Sequence, residues 1–312
     1  MEPIKPRQIL YIKLGTGGEF EKESIKKGIV KLDYRNIMHN DCKEGNWGII
    51  EKQLLKVDKP DYGAAKRHIK QLRYYYESED DVLWITFWNQ KLWWCFAKSE
   101  ITLNSDGTNE REVIDKWHDC DIKGKDLKMS ILNGNLLKTQ GFRGTICELK
   151  EDETNYTVRK INGEKLPEVQ EAEISLNELK NKIQPLIKFL TWGDFEILVD
   201  LIFRHAGWQR VSELGHTQKT IDLDLVMPIS GRKAMVQIKS QSDLATFEKY
   251  EEDFSTNEDY DDYYYVVHSP DNSLIERKEK SNSIKTKLVF VEEVSQLCIS
   301  AGLVDWLIER TS

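Results

Sequence analysis

The sequence predicts an α/β protein made of two domains, and three observations lead to this fold class. The chain has 312 residues, a length that suits two domains of ordinary size. Residues 1–150 contain short apolar, tryptophan-rich runs, which predict a small β-barrel with helical insertions, an α+β domain. In residues 176–312 strand patterns alternate with helix patterns, as in a three-layer α/β core. The polar residues 151–175 are interpreted as a linker.

The first half of the chain opens with short strands and turns. Strands are predicted over residues 8–14 and 28–34, with a helix over residues 20–27 between them. Residues 61–77 predict a further helix, which carries several basic residues. Its cations, which are candidates for binding nucleic acid, are Lys66, Arg67, Lys70 and Arg73.

Two apolar runs, residues 81–88 and 91–98, are separated only by Asn89-Gln90, which predicts a β-hairpin. A last strand is expected over residues 141–149, and a small hairpin around residues 158–163. The first half also holds six of the nine tryptophans, and Trp47, Trp84 and Trp93 are candidates for stacking a nucleobase. Core packing in a small barrel is the alternative interpretation of these rings.

The second half begins with a helix over residues 175–190, which Pro185 is expected to kink or divide. The next helix carries Glu196, ends at Gly207 and precedes a short strand over residues 208–214. Further strands are predicted over residues 263–268 and 287–291. Three helices complete this half, one capped by Ser242-Asp243 and two over residues 292–301 and 303–310.

Two strands joined by a turn carry the polar residues of greatest interest. Thr220–Met227 contains Asp222 and Asp224, and Lys233–Ser240 contains Gln237 and Lys239, with a turn at residues 228–231. Because side chains alternate along a strand, Asp222 and Asp224 share one face, and so do Gln237 and Lys239. The hairpin therefore predicts that carboxylates and a lysine meet at one edge of the sheet.

This arrangement suits a hard cation such as Mg²⁺, which prefers oxygen ligands. Asp222 offers a carboxylate oxygen, Ile238 a backbone carbonyl, Gln237 an amide oxygen and Glu196 a second carboxylate. Asp224 is an alternative metal ligand, and Asp222 is favoured because it follows an apolar residue at the strand entrance. Lys239 is expected to orient the attacking water or to stabilise charge on a phosphate. Mn²⁺ is expected to substitute for Mg²⁺.

The order Phe195-Glu196, Ile221-Asp222 and Val236-Gln237-Ile238-Lys239-Ser240 resembles the PD-(D/E)xK nuclease superfamily, and within it the Mrr-like restriction endonucleases. The resemblance covers roughly residues 185–300 and implies a restriction-endonuclease-like core with catalytic Glu196, Asp222, Gln237 and Lys239. It also implies Mg²⁺-dependent cleavage of double-stranded DNA, plain or base-modified, in restriction or anti-phage defence. Gln218-Lys219-Thr220 stands where these proteins often have glycines. The first half is more diffusely similar to PUA/EVE-like modules, some of which bind flipped modified bases.

Other interpretations remain open at this stage. Each motif taken singly also fits an ordinary edge strand with polar residues facing water. The nuclease is alternatively an effector whose first domain binds a nucleotide signal, RNA or a partner protein. Gln237 in place of an acidic residue favours a third interpretation, a catalytically degenerate DNA-binding protein.

Composition restricts compartment and partners. Five scattered cysteines without a CxxC motif indicate reduced thiols and a cytoplasmic protein, and no apolar run reaches the length of a membrane span. The net charge of −8 divides into 29 Lys+Arg against 27 Asp+Glu in residues 1–165, and 16 against 26 in residues 166–312. Such an acidic second half binds phosphates poorly alone, so DNA affinity is assigned to the first domain and to a homodimer or larger assembly.

Overall fold

The structure is a computed structural model that describes residues 1–34, 38–56, 61–211, 221–257, 259–280 and 285–312. The chain divides into two compact units, Met1–Leu166 and Pro167–Ser312, called unit 1 and unit 2 below. Each unit contains one mixed β-sheet, and the described residues include twelve α-helices, so the predicted α/β class is confirmed. None of the described helices combines the length and apolar character needed to cross a membrane.

Unit 1 is built on a six-stranded sheet. Its strands are β1 (Gln8–Ile12), β2 (Ile29–Leu32), β3 (Val82–Trp88), β4 (Lys91–Leu103), β5 (Asn109–Val113) and β6 (Ile146–Glu148). They lie in the order β2-β5-β4-β3-β1-β6, with β1 and β3 parallel and all other neighbours antiparallel. The described residues show no pairing between β2 and β6, so the closure that a barrel requires is not part of this sheet.

Six α-helices accompany this sheet in the described part of unit 1. They are α1 (Glu21–Lys27), α2 (His39–Glu44), α3 (Trp47–Leu54), α4 (Tyr62–Tyr76), α5 (Gly134–Lys138) and α6 (Glu151–Ile161). Alternate residues of β1 supply two cores on opposite faces of the sheet: Leu10 and Ile12 belong to one, Ile9 and Tyr11 to the other. Buried Leu72 and Tyr75 anchor α4 in the first core, and its charged residues stay exposed.

The predicted hairpin is confirmed. Asn89 and Gln90 both have positive φ, 49° and 60°, as a two-residue turn between β3 and β4 requires. β4 runs five residues further than predicted, and its extension pairs with β5, a strand that the sequence analysis missed. Asn109 and Arg111 of β5 are buried although they are polar, so the usual apolar alternation is absent there.

In unit 2 the described residues form a five-stranded sheet and six α-helices. Its strands are β7 (Gln209–Arg210), β8 (Leu223–Val226), β9 (Lys233–Ser242), β10 (Asp262–Pro270) and β11 (Thr286–Phe290). Its helices are α7 (Pro167–Phe189), α8 (Trp192–His205), α9 (Leu244–Ser255), α10 (Asn272–Lys280), α11 (Val291–Ser300) and α12 (Val304–Thr311). The strand order is β11-β10-β9-β8-β7, with β9, β10 and β11 parallel and β7 and β8 antiparallel to their neighbours.

Helices cover both faces of this sheet. Val236 and Ile238 of β9 pack into a core with α7, α8, α11 and α12. Met235 lies in a second core, with Phe247 of α9 and Leu274 of α10. The strand boundaries expected from the sequence hold within a few residues, except that residues 212–214 and Thr220 lie outside the described residues.

Residues 151–175 differ from the predicted linker. Residues 151–161 form α6, whose buried Ile161 packs into a core of unit 1, so the hairpin expected at residues 158–163 is wrong. The boundary between the units falls at Leu166 and Pro167, and α7 starts there with proline in the first turn, where its missing N–H leaves no hydrogen bond unmade. Ser175 therefore lies inside α7 instead of capping it, and α7 continues through Pro185 as one helix.

Candidate active site

The hairpin of β8 and β9 positions the predicted acidic residue. Leu223 pairs with Val236, and both side chains face the core with α8. Asp222, one residue before β8, therefore faces the opposite side, as does its neighbour Gln237 on β9. The turn that joins the strands uses Gly231 at φ 69°, which glycine adopts without strain.

Asp222 is bound at the point where the two strands begin to pair. Its Oδ2 accepts hydrogen bonds from the Gln237 side-chain Nε2 at 2.5 Å and from the Ile238 backbone N–H at 2.6 Å. The C=O of a residue in a strand points to the same side as its N–H, so the Ile238 carbonyl also faces Asp222. Three predicted site residues are thus brought together by one strand pair.

Glu196 reaches the same region from a different element. It lies on α8, whose N-terminus is capped by the Thr191 hydroxyl, and next to Phe195, which is fully buried in the core. Burial raises the pKa of Glu196 first, and the negative charge of Asp222 raises it further, whereas Arg210 and Lys239 oppose this shift. The charges of the two carboxylates therefore interact, although Glu196 lies on α8 and Asp222 lies at the entry to β8.

The pKa of Asp222 is also raised, chiefly by burial, against the lowering effects of the Ile238 N–H, Lys239, Arg210 and Gln237. Neighbouring carboxylates with raised pKa values beside cations are typical of functional sites. The ammonium of Lys239 lies over the Tyr250 ring, 4.9 Å from its centroid, so an aromatic face of α9 orients it.

Asp224 occupies a different environment. It pairs with Met235, which precedes Gln237 by two residues on β9 and lies nearer the turn. The pKa of the Tyr260 hydroxyl is raised to about 12, first by burial and then by the Asp224 charge. Asp224 is therefore a neighbour of Tyr260, while Asp222 contacts Gln237 and Ile238.

One buried atom bears directly on metal binding. Gln237 is 2% exposed, and its side-chain Oε1 is buried without a hydrogen-bond partner among the described residues. Leaving a buried acceptor unpaired costs about 1–3 kcal/mol, and such a group calls for an explanation. A cation that prefers oxygen would satisfy it, so the donor set of Asp222, Glu196, Ile238 and Gln237 fits Mg²⁺ in kind. The described residues hold no cluster of three or more His, Cys, Asp or Glu side chains suited to a metal.

Sequence reasoning missed Arg210. It lies on β7, and its guanidinium donates to the Asp222 backbone carbonyl at 3.3 Å. Its charge lowers the pKa values of both Glu196 and Asp222. The strand at residues 208–214 was predicted, but the contact of Arg210 with the Asp222 carbonyl depends on the pairing of β7 with β8.

In unit 1 most of the predicted nucleic-acid residues gather around α4. A cavity of about 690 Å³ is lined by Trp47, Lys66, Lys70 and Arg73, together with Arg7. Trp47 is half-buried; its Nε1 donates to Glu77 at 2.9 Å, and the Arg73 guanidinium carbon lies 5.9 Å from its ring. Arg67 lines a neighbouring cavity instead.

Two other tryptophans do not fit the predicted stacking role. Trp84 is fully buried, and its ring packs edge-on against Tyr75 at 5.8 Å between centroids, so no base can reach it. Trp93 is half-buried, donates through Nε1 to the Trp88 carbonyl at 3.0 Å and packs against the core that contains Trp84. Trp84 is therefore a core residue, which is the alternative interpretation given for these rings.

The comparisons with known proteins found no match: no family model, no curated protein and no solved structure is similar to this chain.

Proposed function

We propose that this chain is a metal-dependent endonuclease that hydrolyses phosphodiester bonds of double-stranded DNA, plain or base-modified, in restriction or anti-phage defence. Unit 2 carries the catalytic residues, and unit 1 selects the DNA. The observation that supports this proposal most is the Asp222 carboxylate, held by Gln237 and Ile238 beside an unpaired buried amide oxygen.

Each residue has a specific task in this proposal. Asp222, Glu196, the Ile238 carbonyl and the Gln237 Oε1 would hold Mg²⁺, and Mn²⁺ is expected to substitute. A bound cation would supply the Lewis acidity that phosphodiester hydrolysis requires. Lys239 stabilises the negative charge that develops on the phosphate oxygens, and the Tyr250 ring limits its movement.

Arg210 holds the chain on the other side of the site. By donating to the Asp222 carbonyl, it fixes the segment that enters β8, and its charge favours ionised carboxylates at neutral pH. An arginine in this position is also suited to contact a phosphate next to the scissile one, because its planar fork binds two oxygens at once.

A plasmid-cleavage assay tests the proposal. Wild-type protein is expected to nick or linearise supercoiled DNA with Mg²⁺ or Mn²⁺, but not with EDTA. Asp222→Asn and Lys239→Ala are expected to lower the rate on the order of 10²-fold or more, because the first removes the negative charge that holds the metal and the second removes a positive charge next to the reacting phosphate. Asp224→Asn, on the same strand but beside Tyr260, is the matched control and should retain activity. If Asp224→Asn alone were inactive, Asp222 would be the wrong ligand.

We also expect the active form to be a homodimer or larger, since one site of this kind cuts one strand. Two copies of unit 1 would engage DNA together and compensate for the acidic unit 2. Light scattering of the protein bound to a short duplex measures the stoichiometry. A monomer under conditions that give double-strand cleavage would contradict this expectation.

A second candidate function, a DNA-binding protein without cleavage activity, is favoured by one observation. The Gln237 Nε2 already satisfies one oxygen of Asp222, and an amide brings no negative charge to a metal. Duplex binding with no cleavage in either metal would select this candidate over the nuclease.

A further inference from the structure

The four basic residues of α4, Lys66, Arg67, Lys70 and Arg73, lie on one exposed side of the helix, and the helix separates two cavities. Lys66 and Arg73, two turns apart, line the 690 Å³ cavity on one flank, together with Arg7. Arg67 lines a cavity of about 870 Å³ on the other flank, together with Arg143 and Lys150. Lys70 and Tyr74, spaced i and i+4, line both cavities, so they form the crest of a ridge between two clefts.

The charge of this surface is opposite to that of the whole chain. Among the described residues, seven Lys and Arg side chains line the two clefts against three Glu side chains, whereas the chain as a whole has a net charge of −8. Two of the three acids already have partners: Glu77 accepts from Arg73 and Trp47, and Glu148 accepts from the Tyr74 hydroxyl. Residues 62–76 of α4 contain no Asp or Glu. Arg7 and Arg67 also have carboxylate partners, Asp81 at 3.3 Å and Asp61 at 3.8 Å, but these are exposed ion pairs that a polyanion can replace, so the face attracts a long polyanion.

The dimensions decide which polyanion fits. A helix with its side chains is about 10–12 Å across, and the major groove of B-DNA is about 12 Å wide. The 15 residues of α4 extend about 22 Å, enough to lie along the groove for several base pairs. The two strands that border a major groove carry phosphates on both sides of an inserted helix, where the two clefts present their cations.

We propose that α4 is a DNA-docking helix: its Lys70–Tyr74 crest enters the major groove, and the flanking clefts bind the phosphates of the two bordering strands. This inference rests on the proposed function in taking duplex DNA as the ligand. The affinity for DNA then comes from contacts with the phosphate backbone, not from bases stacked on tryptophan rings. Arg7, Arg143 and Lys150 become phosphate-binding residues, a role that their sequence context does not reveal.

Duplex binding in EDTA, which prevents metal-dependent cleavage, tests the inference. The probe is a 20-base-pair duplex, with the corresponding single strand as a second probe. One triple variant removes the cations that line only the first cleft: Arg7→Ala/Lys66→Ala/Arg73→Ala. A second removes those that line only the other cleft: Arg67→Ala/Arg143→Ala/Lys150→Ala. Lys70, which lines both clefts, is kept in each. The control, Lys22→Ala/Lys26→Ala/Lys125→Ala, removes the same charge from exposed positions elsewhere in unit 1.

Each cleft variant is expected to bind the duplex at least 10-fold more weakly than the control at about 100 mM salt. The slope of log K against log salt should fall by about 1 for each cation removed. Methyl green, which occupies the major groove, should displace the protein, whereas the minor-groove ligand netropsin should not.

Three results would overturn the inference: only one cleft variant weaker than the control, single strands bound as tightly as the duplex, or displacement by netropsin instead of methyl green. Plasmid cleavage with Mg²⁺ is measured separately on the wild type and on both cleft variants. If the wild type does not cleave DNA but both cleft variants bind the duplex more weakly than the control, only the nuclease proposal is refuted. If both cleft variants cleave as fast as the wild type, only the docking helix is refuted.

Discussion

Two deeply buried polar groups, Arg111 in unit 1 and Gln237 in unit 2, differ in how their polar atoms are satisfied. In unit 1, Arg111 is fully buried, and three of its nitrogens each donate to a backbone carbonyl: Nε to Lys98 at 2.7 Å, Nη1 to Tyr75 at 2.9 Å and Nη2 to Ser78 at 2.8 Å. The guanidinium carbon also lies 5.5 Å from the centre of the Trp84 ring. All of these contacts are made within unit 1.

In unit 2, Gln237 is equally inaccessible, but its Oε1 has no partner among the described residues, and it faces a carboxylate whose pKa burial raises. The difference separates two uses of a buried polar group. One that is satisfied internally holds the fold together, whereas one left unsatisfied costs stability and indicates a place for a ligand.

The largest expected effect concerns Arg111. Arg111→Met removes the donors of three buried carbonyls, and we expect a loss of about 3–5 kcal/mol in the free energy of unfolding. Thermal and denaturant unfolding measure it, with the exposed Arg143→Met as a control that should stay within about 0.5 kcal/mol. A loss below about 1 kcal/mol would show that Arg111 is no more structural than Gln237.

A smaller effect is expected from Gln237→Glu. Without metal, a second carboxylate beside Asp222 destabilises unit 2 by like-charge repulsion, on the order of 1 kcal/mol, or about 2–4 °C in Tm. Millimolar Mg²⁺ should raise the Tm of the variant more than that of wild type, because a cation that binds only the folded state stabilises it. Equal Mg²⁺ shifts in both proteins, or none in either, would contradict the metal site.

The smallest effect concerns two buried histidines. Burial lowers the pKa of His268 first, and Lys188 lowers it further; its Nε2 has no partner among the described residues. Burial also lowers the pKa of His118, but Asp115, 3.1 Å from its Nε2, opposes the shift. A lowered pKa means that the folded state binds fewer protons. The stability contribution is therefore complete above the unfolded pKa of about 6.5 and lost as the pH falls towards the folded pKa.

We therefore expect Tm to fall between pH 7.5 and 5.5, and His268→Gln to reduce this fall more than His118→Gln does. Differential scanning fluorimetry across this range measures both variants. A larger effect of His118→Gln than of His268→Gln would contradict this ranking of the two histidines.

The candidate site was predictable because it is local in sequence. Asp222 and Gln237 lie on neighbouring strands joined by one tight turn, so alternation and turn chemistry were enough to place them together. Arg210 was not predictable, because its position depends on the pairing of β7 with β8.

The clefts beside α4 show the opposite case. The basic face of α4 follows from helical spacing. Arg7 and Arg143 are distant from α4 in sequence, and only the tertiary fold of unit 1 brings them to the cavities beside it. Trp84 was misassigned for the same reason, since Tyr75 of α4 covers its ring and no local pattern reveals that contact.

The pairing of β1 has a consequence for the order of synthesis and folding. β1 lies between β3, with Gln8 opposite Val82, and β6, with Ile12 opposite Ile146. A ribosome adds about 5–20 residues per second, so this apolar strand waits on the order of ten seconds for its second neighbour. During that time its unpaired edge is open to other chains. We therefore expect aggregation during expression to be governed by unit 1, and co-translational chaperones to act on Gln8–Ile12.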